Sequence, residues 1–271
     1  MKRILLIVAL LVLTVPLLAS ALGPQIEELS VDSRQPAPVY STNALEADKM
    51  YLLEASGTYT FGSGGRIADA EWYREPTWKE GRWDKTRSDW DPYGVLDLLV
   101  DPDQGGAINP DWGDFNPDHV YTMCYQGQGR PVSFVISDWW HTGNTMMGDN
   151  YGSLDVKIFE LGCVEAWLPP IVNADFELQD GTTLPIKFRL CEPGDFSADI
   201  LVTIVTPESG SIQLTPTYDA DENHYIVVFH TRNYDLTEGN YEVIVTRGGC
   251  ELDSYPFYLA PKASRGNSGR K

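Results

Sequence analysis

The sequence predicts an all-β chain built as two successive β-sandwich domains. Gly (24 residues), Pro (18) and Tyr (14) are abundant, and no long stretch carries the 3.6-residue apolar period of a helix. Short alternating segments recur instead between turn residues, as where Leu154, Val156 and Ile158 alternate with Asp155 and Lys157. Length is the third observation: the 271 residues suffice for two ordinary β domains after a short N-terminal segment.

Lys2 and Arg3 precede an apolar run over residues 4–18 that ends in Ala19-Ser20-Ala21, the pattern of a signal peptide over residues 1–21. The expected location is therefore secreted, extracellular. No later run is long and apolar enough for a membrane span. Residues 22–44, with Pro24, Pro36 and Pro38, read as a leader. A formal charge of −19 argues against a nucleic-acid partner and suits a chain that collects cations. Four cysteines in an exported chain predict two disulfides, and no CxxC, HExxH or His-Cys cluster points to zinc.

The first domain is expected over residues 45–163. Residues 51–61 read as two strand segments bent at Ser56-Gly57, and residues 62–65 as a turn. Ala68-Asp69-Ala70-Glu71 puts two acids on one side of an extended segment. Residues 72–92 show no regular period, and a loop of about twenty residues is often functional. Strands follow over residues 95–100, 119–125, 132–136 and 154–158. Seven of the eight tryptophans lie between Trp72 and Trp140, which assigns the aromatic surplus to this domain. Most suit a sandwich core. Trp139 and Trp140 are the better sugar-facing pair, because adjacent strand residues point to opposite faces.

The richest chemistry lies in SDWWHTGNTMMGDNYGSLDVKI, residues 137–158. Asp138, Asn144, Asp149 and Asn150 gather between two strands, with Gly143, Gly148 and Gly152 to turn the backbone. Two readings fit this loop. One is a calcium site, since calcium takes six to eight oxygens in irregular geometry. The other is a polar hairpin whose Asp and Asn cap their own backbone. His141 lies in the same loop, where a lone histidine is more often solvated than catalytic.

YLLEASGTYTFG, ADAEW, LDLLVD and SFVISDWW…GDNYGSLDVKI together resemble the PA-IL type calcium-dependent, galactose-binding lectins over residues 45–160. The resemblance implies a small jelly-roll sandwich. It carries over Asp138, Asp149 and Asn150 as side-chain calcium ligands and Phe61 as a carbonyl donor, with Asp69 and Glu71 as additional candidates. The sugar-contacting His-Pro-Asp-Gln run of those lectins is missing, so calcium carries over better than galactose. Trp139, Trp140, His141 and Asn144 remain the candidate contacts for an extracellular glycan or polysaccharide. As the only cysteines of this domain, Cys124 and Cys163 are expected to pair.

Residues 164–172 read as a stiff linker, where Pro169 and Pro170 restrict the residues before them. The second domain, residues 173–261, offers strands at 186–190, 200–205, 225–229, 241–245 and 255–259, a spacing that suggests an immunoglobulin-like sandwich. Residues 200–205 are apolar on both faces, as in a central strand. TTLPIKFRL with NYDLTEGNYEVIV resembles the PxKF domain of secreted bacterial proteins through Pro185, Lys187 and Phe188. That resemblance implies an immunoglobulin-like module in which Lys187 is a structural strand residue. Cys191 and Cys250 are expected to pair within it, and residues 262–271 read as a disordered tail.

Three function classes follow, in this order: a secreted, non-enzymatic binding protein with a calcium-supported, carbohydrate-binding-like module; a structural or adhesive protein in which calcium only stiffens a loop; and a glycosidase with a carboxylate pair. The histidines (His119, His141, His224 and His230) are scattered, and no GxSxG or Ser-His-Asp spacing supports a hydrolase.

Overall fold

A computed structural model describes residues 23–76, 81–85, 96–103, 110–138, 147–173, 177–179 and 181–261. The expected signal peptide and C-terminal tail lie outside the described residues. The fold is all-β, as the alternation predicts.

In the first half the strands are β1 (Gln25–Asp32), β2 (Val39–Tyr40), β3 (Met50–Ser56), β4 (Tyr59–Thr60), β5 (Ile67–Ala68) and β6 (Trp72–Arg74). They continue with β7 (Trp83–Lys85), β8 (Leu98–Val100), β9 (Val120–Gln126), β10 (Ser133–Ile136) and β11 (Ser153–Gly162). One sheet has the order β1-β11-β3-β9, a second β2-β10-β8, and a small third sheet β4-β5-β6-β7. Leu53, Ala55, Val156 and Ile158 meet Leu98, Val100, Phe134 and Ile136 in a common core. Burying a side chain of this size contributes about 1.5–3 kcal/mol, so the alternating residues fix which face turns inward.

The second half contains β12 (Val164–Leu168), β13 (Glu177–Gln179), β14 (Thr183–Leu190), β15 (Ile200–Val205) and β16 (Ser211–Leu214). It ends with β17 (Thr217–Asp219), β18 (His224–His230), β19 (Gly239–Arg247) and β20 (Cys250–Ala260). Its sheets have the orders β12-β14-β18-β17 and β13-β20-β19-β15-β16. Ile186, Phe188 and Leu190 of β14 point into a core shared with Val202, Ile204, Val243 and Val245. β15 is central, between β19 and β16.

Three expectations are corrected. Residues 22–44 are not merely a leader: β1 lies along β11 from Gln25 to Asp32, and β2 pairs with β10. Its edge position is held by backbone pairing, with a register shift near Gln25 and Glu27 that breaks the alternation. Residues 164–172 are not a free linker either, because β12 pairs with β14 and Trp167 packs on Phe188 and Tyr255. Trp167 Nε1 also donates to Asp253 at 2.7 Å.

The third correction is the disulfide pairing, which is Cys124–Cys250 and Cys163–Cys191. The reason is parity. Tyr121 and Tyr125 of β9 face the first core, so Cys124 faces out of the sheet, opposite Leu52 on β3. That outer face is covered by the second half: Leu52, Leu161 and Cys250 form a buried cluster with Met50, Phe159 and Leu252. Cys163 precedes the first pair of the β12–β14 ladder, Val164 with Leu190, and therefore meets Cys191.

Polar groups complete this seam. Arg247 is 2% exposed; its Nη1 donates to Leu161 O at 2.9 Å, and its guanidinium lies 4.0 Å over the Phe196 ring. Lys49 Nζ meets Glu160 at 2.8 Å, Glu46 at 3.2 Å and Glu192 at 3.5 Å. At Gly162 the backbone is left-handed (φ +88°), which strains any side chain and favours glycine.

Non-reducing peptide mapping of the purified protein is expected to recover the 124–250 and 163–191 linked peptides. Loop-closure entropy for the long bridge then predicts that Cys124→Ser costs about 3–5 kcal/mol in urea unfolding. Recovery of a 124–163 peptide would remove the covalent seam.

Candidate functional site

The candidate loop starts where β10 ends and closes where β11 begins. Asp138 follows β10 by two residues and is 6% exposed. Met147–Asp149 forms a short 3-10 turn, and Asn150 N donates to Met147 O at 3.3 Å. That turn points the Asn150 side chain inward, fully buried, while Asp149 stays exposed.

Asn150 Nδ2 donates to Ser33 O at 3.0 Å and to Asp138 Oδ2 at 3.2 Å. Two acceptors on one end of the amide fix its orientation. Among the described residues its Oδ1 is buried with no hydrogen-bond partner. The end of β1 supports the arrangement, since Ser33 N and Oγ both donate to Gly152 O, at 3.0 and 2.9 Å.

Phe61 arrives from the other side. Thr60 and Tyr151 exchange backbone bonds of 2.8 and 2.9 Å, which lays the chain at Phe61 beside Asn150. A Cβ at Gly62 would sit 3.6 Å from Asp149 Oδ2, so the Asp149 carboxylate faces this segment. Burial pushes the Asp138 carboxyl above its usual range; the Asn150 amide opposes that shift and the Asp149 charge adds to it. Asp138 and Asn150 are in direct contact, and Asp149 and the Phe61 segment lie beside them. Trp139, Trp140, His141 and Asn144 lie outside the described residues.

Asp69 and Glu71 go elsewhere. Both are fully buried, and their oxygens serve protein donors. Asp69 Oδ1 accepts from Glu71 N (2.9 Å) and Trp72 N (2.7 Å); Oδ2 contacts His119 Nδ1 and Tyr121 OH, each at 2.7 Å. Glu71 accepts from Trp112 N at 3.0 Å and pairs with Lys85 at 3.0 Å. Burial raises the Glu71 carboxyl, with the Trp112 amide and Lys85 opposing. Tyr59 is in electrostatic reach of both places: burial, with Asp97, Asp138 and Asp69 adding to it, pushes its hydroxyl well above the ordinary value. Among the described residues no group of three or more His, Cys, Asp or Glu side chains is arranged to hold a metal ion. An ion here would depend on amide and backbone oxygens beside the carboxylates.

Sequence reasoning missed Ser33, which anchors Asn150 from residue 33 of an apparent leader. It also missed the Asp69–His119–Tyr121 network. The i, i+2 spacing of Tyr121 from His119 at the start of one strand was the available signal, but its acceptor lies 50 residues upstream of His119.

No family model and no curated protein matches the sequence. Among solved structures the chain is similar to a DUF4785 family protein from Legionella pneumophila, at 12% identity and a TM-score of 0.26. The alignment covers 87% of this chain and 60% of that one, so the chain spans less than two thirds of that structure's length.

The burial of Asp69 predicts a structural penalty. Asp69→Ala leaves four donors without their acceptor and is expected to cost about 3–5 kcal/mol in urea unfolding. Exposed Asp149→Ala is expected to stay within about 0.5 kcal/mol of wild type in EGTA.

Proposed function

We propose that the protein is a secreted, non-enzymatic binding protein whose first sandwich is supported by calcium and presents a glycan-binding surface. The second sandwich acts as an immunoglobulin-like spacer. Calcium is held by Asp138, Asp149 and Asn150 with the Phe61 carbonyl. The observation that carries the reading is the buried, unsatisfied Asn150 Oδ1 beside the Asp138 carboxylate. An unmet buried acceptor costs about 1–3 kcal/mol, and a hard cation that prefers oxygen ligands removes that cost. The chain's charge of −19 favours cation uptake in general. The resemblance to calcium-dependent lectins points the same way, and the aromatic surplus of the first half suits sugar rings.

The pH dependence follows from Asp138. Its folded pKa lies above the unfolded one, so its ionised form costs stability at neutral pH. That cost disappears as pH falls through the raised value. Calcium binds the ionised form, so the calcium contribution is full at neutral pH and is lost over the same range.

Thermal melting of the mature protein in EGTA and in millimolar calcium tests the reading. Calcium at a hundred times its Kd is expected to add about 2.7 kcal/mol. Asp138→Asn should abolish that response, yet be no less stable than wild type in EGTA at pH 7. Magnesium should substitute poorly, because it demands tighter octahedral geometry. Identical melting of wild type in EGTA and calcium would leave the loop as a polar hairpin.

A further inference from the structure

We infer that the first sandwich carries a second, calcium-independent site, in which the rings of Trp83 and Phe115 beside the His119 imidazole bind a neutral pyranose ring. The inference rests on the glycan-binding reading above but not on its calcium loop.

Phe115 projects from the turn before β9 and remains 37% exposed. It stacks on Trp83 with centroids 5.3 Å apart and planes 28° apart. The His119 ring lies 4.7 Å from Trp83 and 5.8 Å from Phe115. A core aromatic would bury its faces in the sandwich. These rings instead stack on one another at the surface, leaving apolar area open beside a polar ring.

His119 is held in place. Asp69, fully buried, takes its Nδ1 at 2.7 Å, and Tyr121 OH bonds the same carboxylate oxygen. With Nδ1 facing a carboxylate, Nε2 is the ring nitrogen left to bond a ligand hydroxyl. Among the described residues Nε2 meets no partner, and the side chain is 21% exposed. The backbone supports the same position in a conformation that non-glycine residues seldom adopt. His119 has φ +53°, fixed by its N–H to Asn116 O (2.9 Å) and by its carbonyl to Gly57 N (3.1 Å). Such outliers gather at ligand clamps, where the surroundings hold them.

Charge selects the ligand class. Asp111, Asp114 and Asp118 are exposed around the rings and repel anions. Of the cations on the β6–β7 ladder, Lys85, opposite Trp72, is already matched by Glu71 at 3.0 Å and Asp111 at 2.7 Å, while Arg74 stands opposite Trp83. A cationic ligand finds the Trp72 face taken, since Lys85 Nζ lies 5.8 Å over it. A neutral sugar ring meets no such obstacle. Its C–H face covers the exposed aromatic surface, and one hydroxyl bonds to His119 Nε2.

Native affinity electrophoresis of the full mature protein tests this, in gels containing galactomannan, xylan or dextran, run in parallel with EGTA and with millimolar calcium. At least one polysaccharide is expected to retard wild type, and Phe115→Ala to weaken the apparent affinity at least tenfold. His119→Phe keeps a ring but removes that nitrogen, and should weaken it similarly. Tyr234→Ala, an exposed ring of the second sandwich, serves as the control and should migrate as wild type. Thermal melting of each variant confirms that it is folded; intrinsic tryptophan fluorescence should change on adding the retarding polysaccharide to wild type but not to Phe115→Ala or Trp83→Phe. Three outcomes overturn the inference: no retardation of folded wild type by any of the three, unchanged retardation of both ring variants, or retardation that requires calcium. The last would move the sugar to the Asp138 loop and leave the calcium reading standing. Retardation in EGTA without any calcium effect on melting would do the reverse.

Discussion

The outer face of the β1-β11-β3-β9 sheet has to be covered, and the rest of the structure depends on how. Leu52, Phe159 and Leu161 would leave an apolar strip in water if the first sandwich stood alone. β20 covers that strip, and Cys124–Cys250 holds the cover in place. Burial alone would allow the two halves to slide. Arg247 removes that freedom, because a buried guanidinium is tolerated only where its partners lie. Its bond to the Leu161 carbonyl and its stacking on Phe196 define one register between the halves. Burial pulls its pKa down, with the Asp199 and Glu192 charges opposing.

The seam also positions both candidate sites, although it touches neither. β11 runs from Ser153, three residues after Asn150, to Gly162 at the seam. A ten-residue strand is roughly 30 Å long, so the Asp138–Asn150 site and the seam lie at opposite ends of one element. β9 repeats the arrangement, with His119 just before its first residue and Cys124 near its last. Anchoring both strands at one end leaves their other ends free to carry loops. Loops on a rigid scaffold are where binding residues concentrate.

Legibility in the sequence followed strand length and parity. Leu154, Val156 and Ile158, or Ile186, Phe188 and Leu190, show their inward face in a five-residue window. β6 and β7 have three residues each, too few for a period to register, so residues 72–92 read as one irregular loop. β1 is defined by its partner rather than by its own pattern. The disulfides could have been read from parity: Cys124 alternates with Tyr121 and Tyr125, and Leu52 is an apolar residue on the outer face of β3. Both signals say that a second layer covers that face. The assumption that cysteines pair within domains overrode them.

The acids were hardest to read. In a chain of charge −19 any single acid looks solvated. Asp69, Glu71 and Asp101 are nevertheless at most 2% exposed. Asp101 takes Arg130 through both oxygens at 3.1 and 3.0 Å, Tyr125 OH at 2.6 Å and Ser133 N at 3.0 Å. Its acceptor capacity is met within the chain, as that of Asp69 is. Such carboxylates order a core without recruiting anything from solution. Asn150 differs: its amide hydrogens are used by Ser33 and Asp138, and among the described residues its oxygen is not. A structural amide would be satisfied at both ends, because leaving one end unmet weakens the fold without improving its packing. An amide satisfied at one end only, beside carboxylates, is what an ion-binding loop requires when the ion supplies the missing partner.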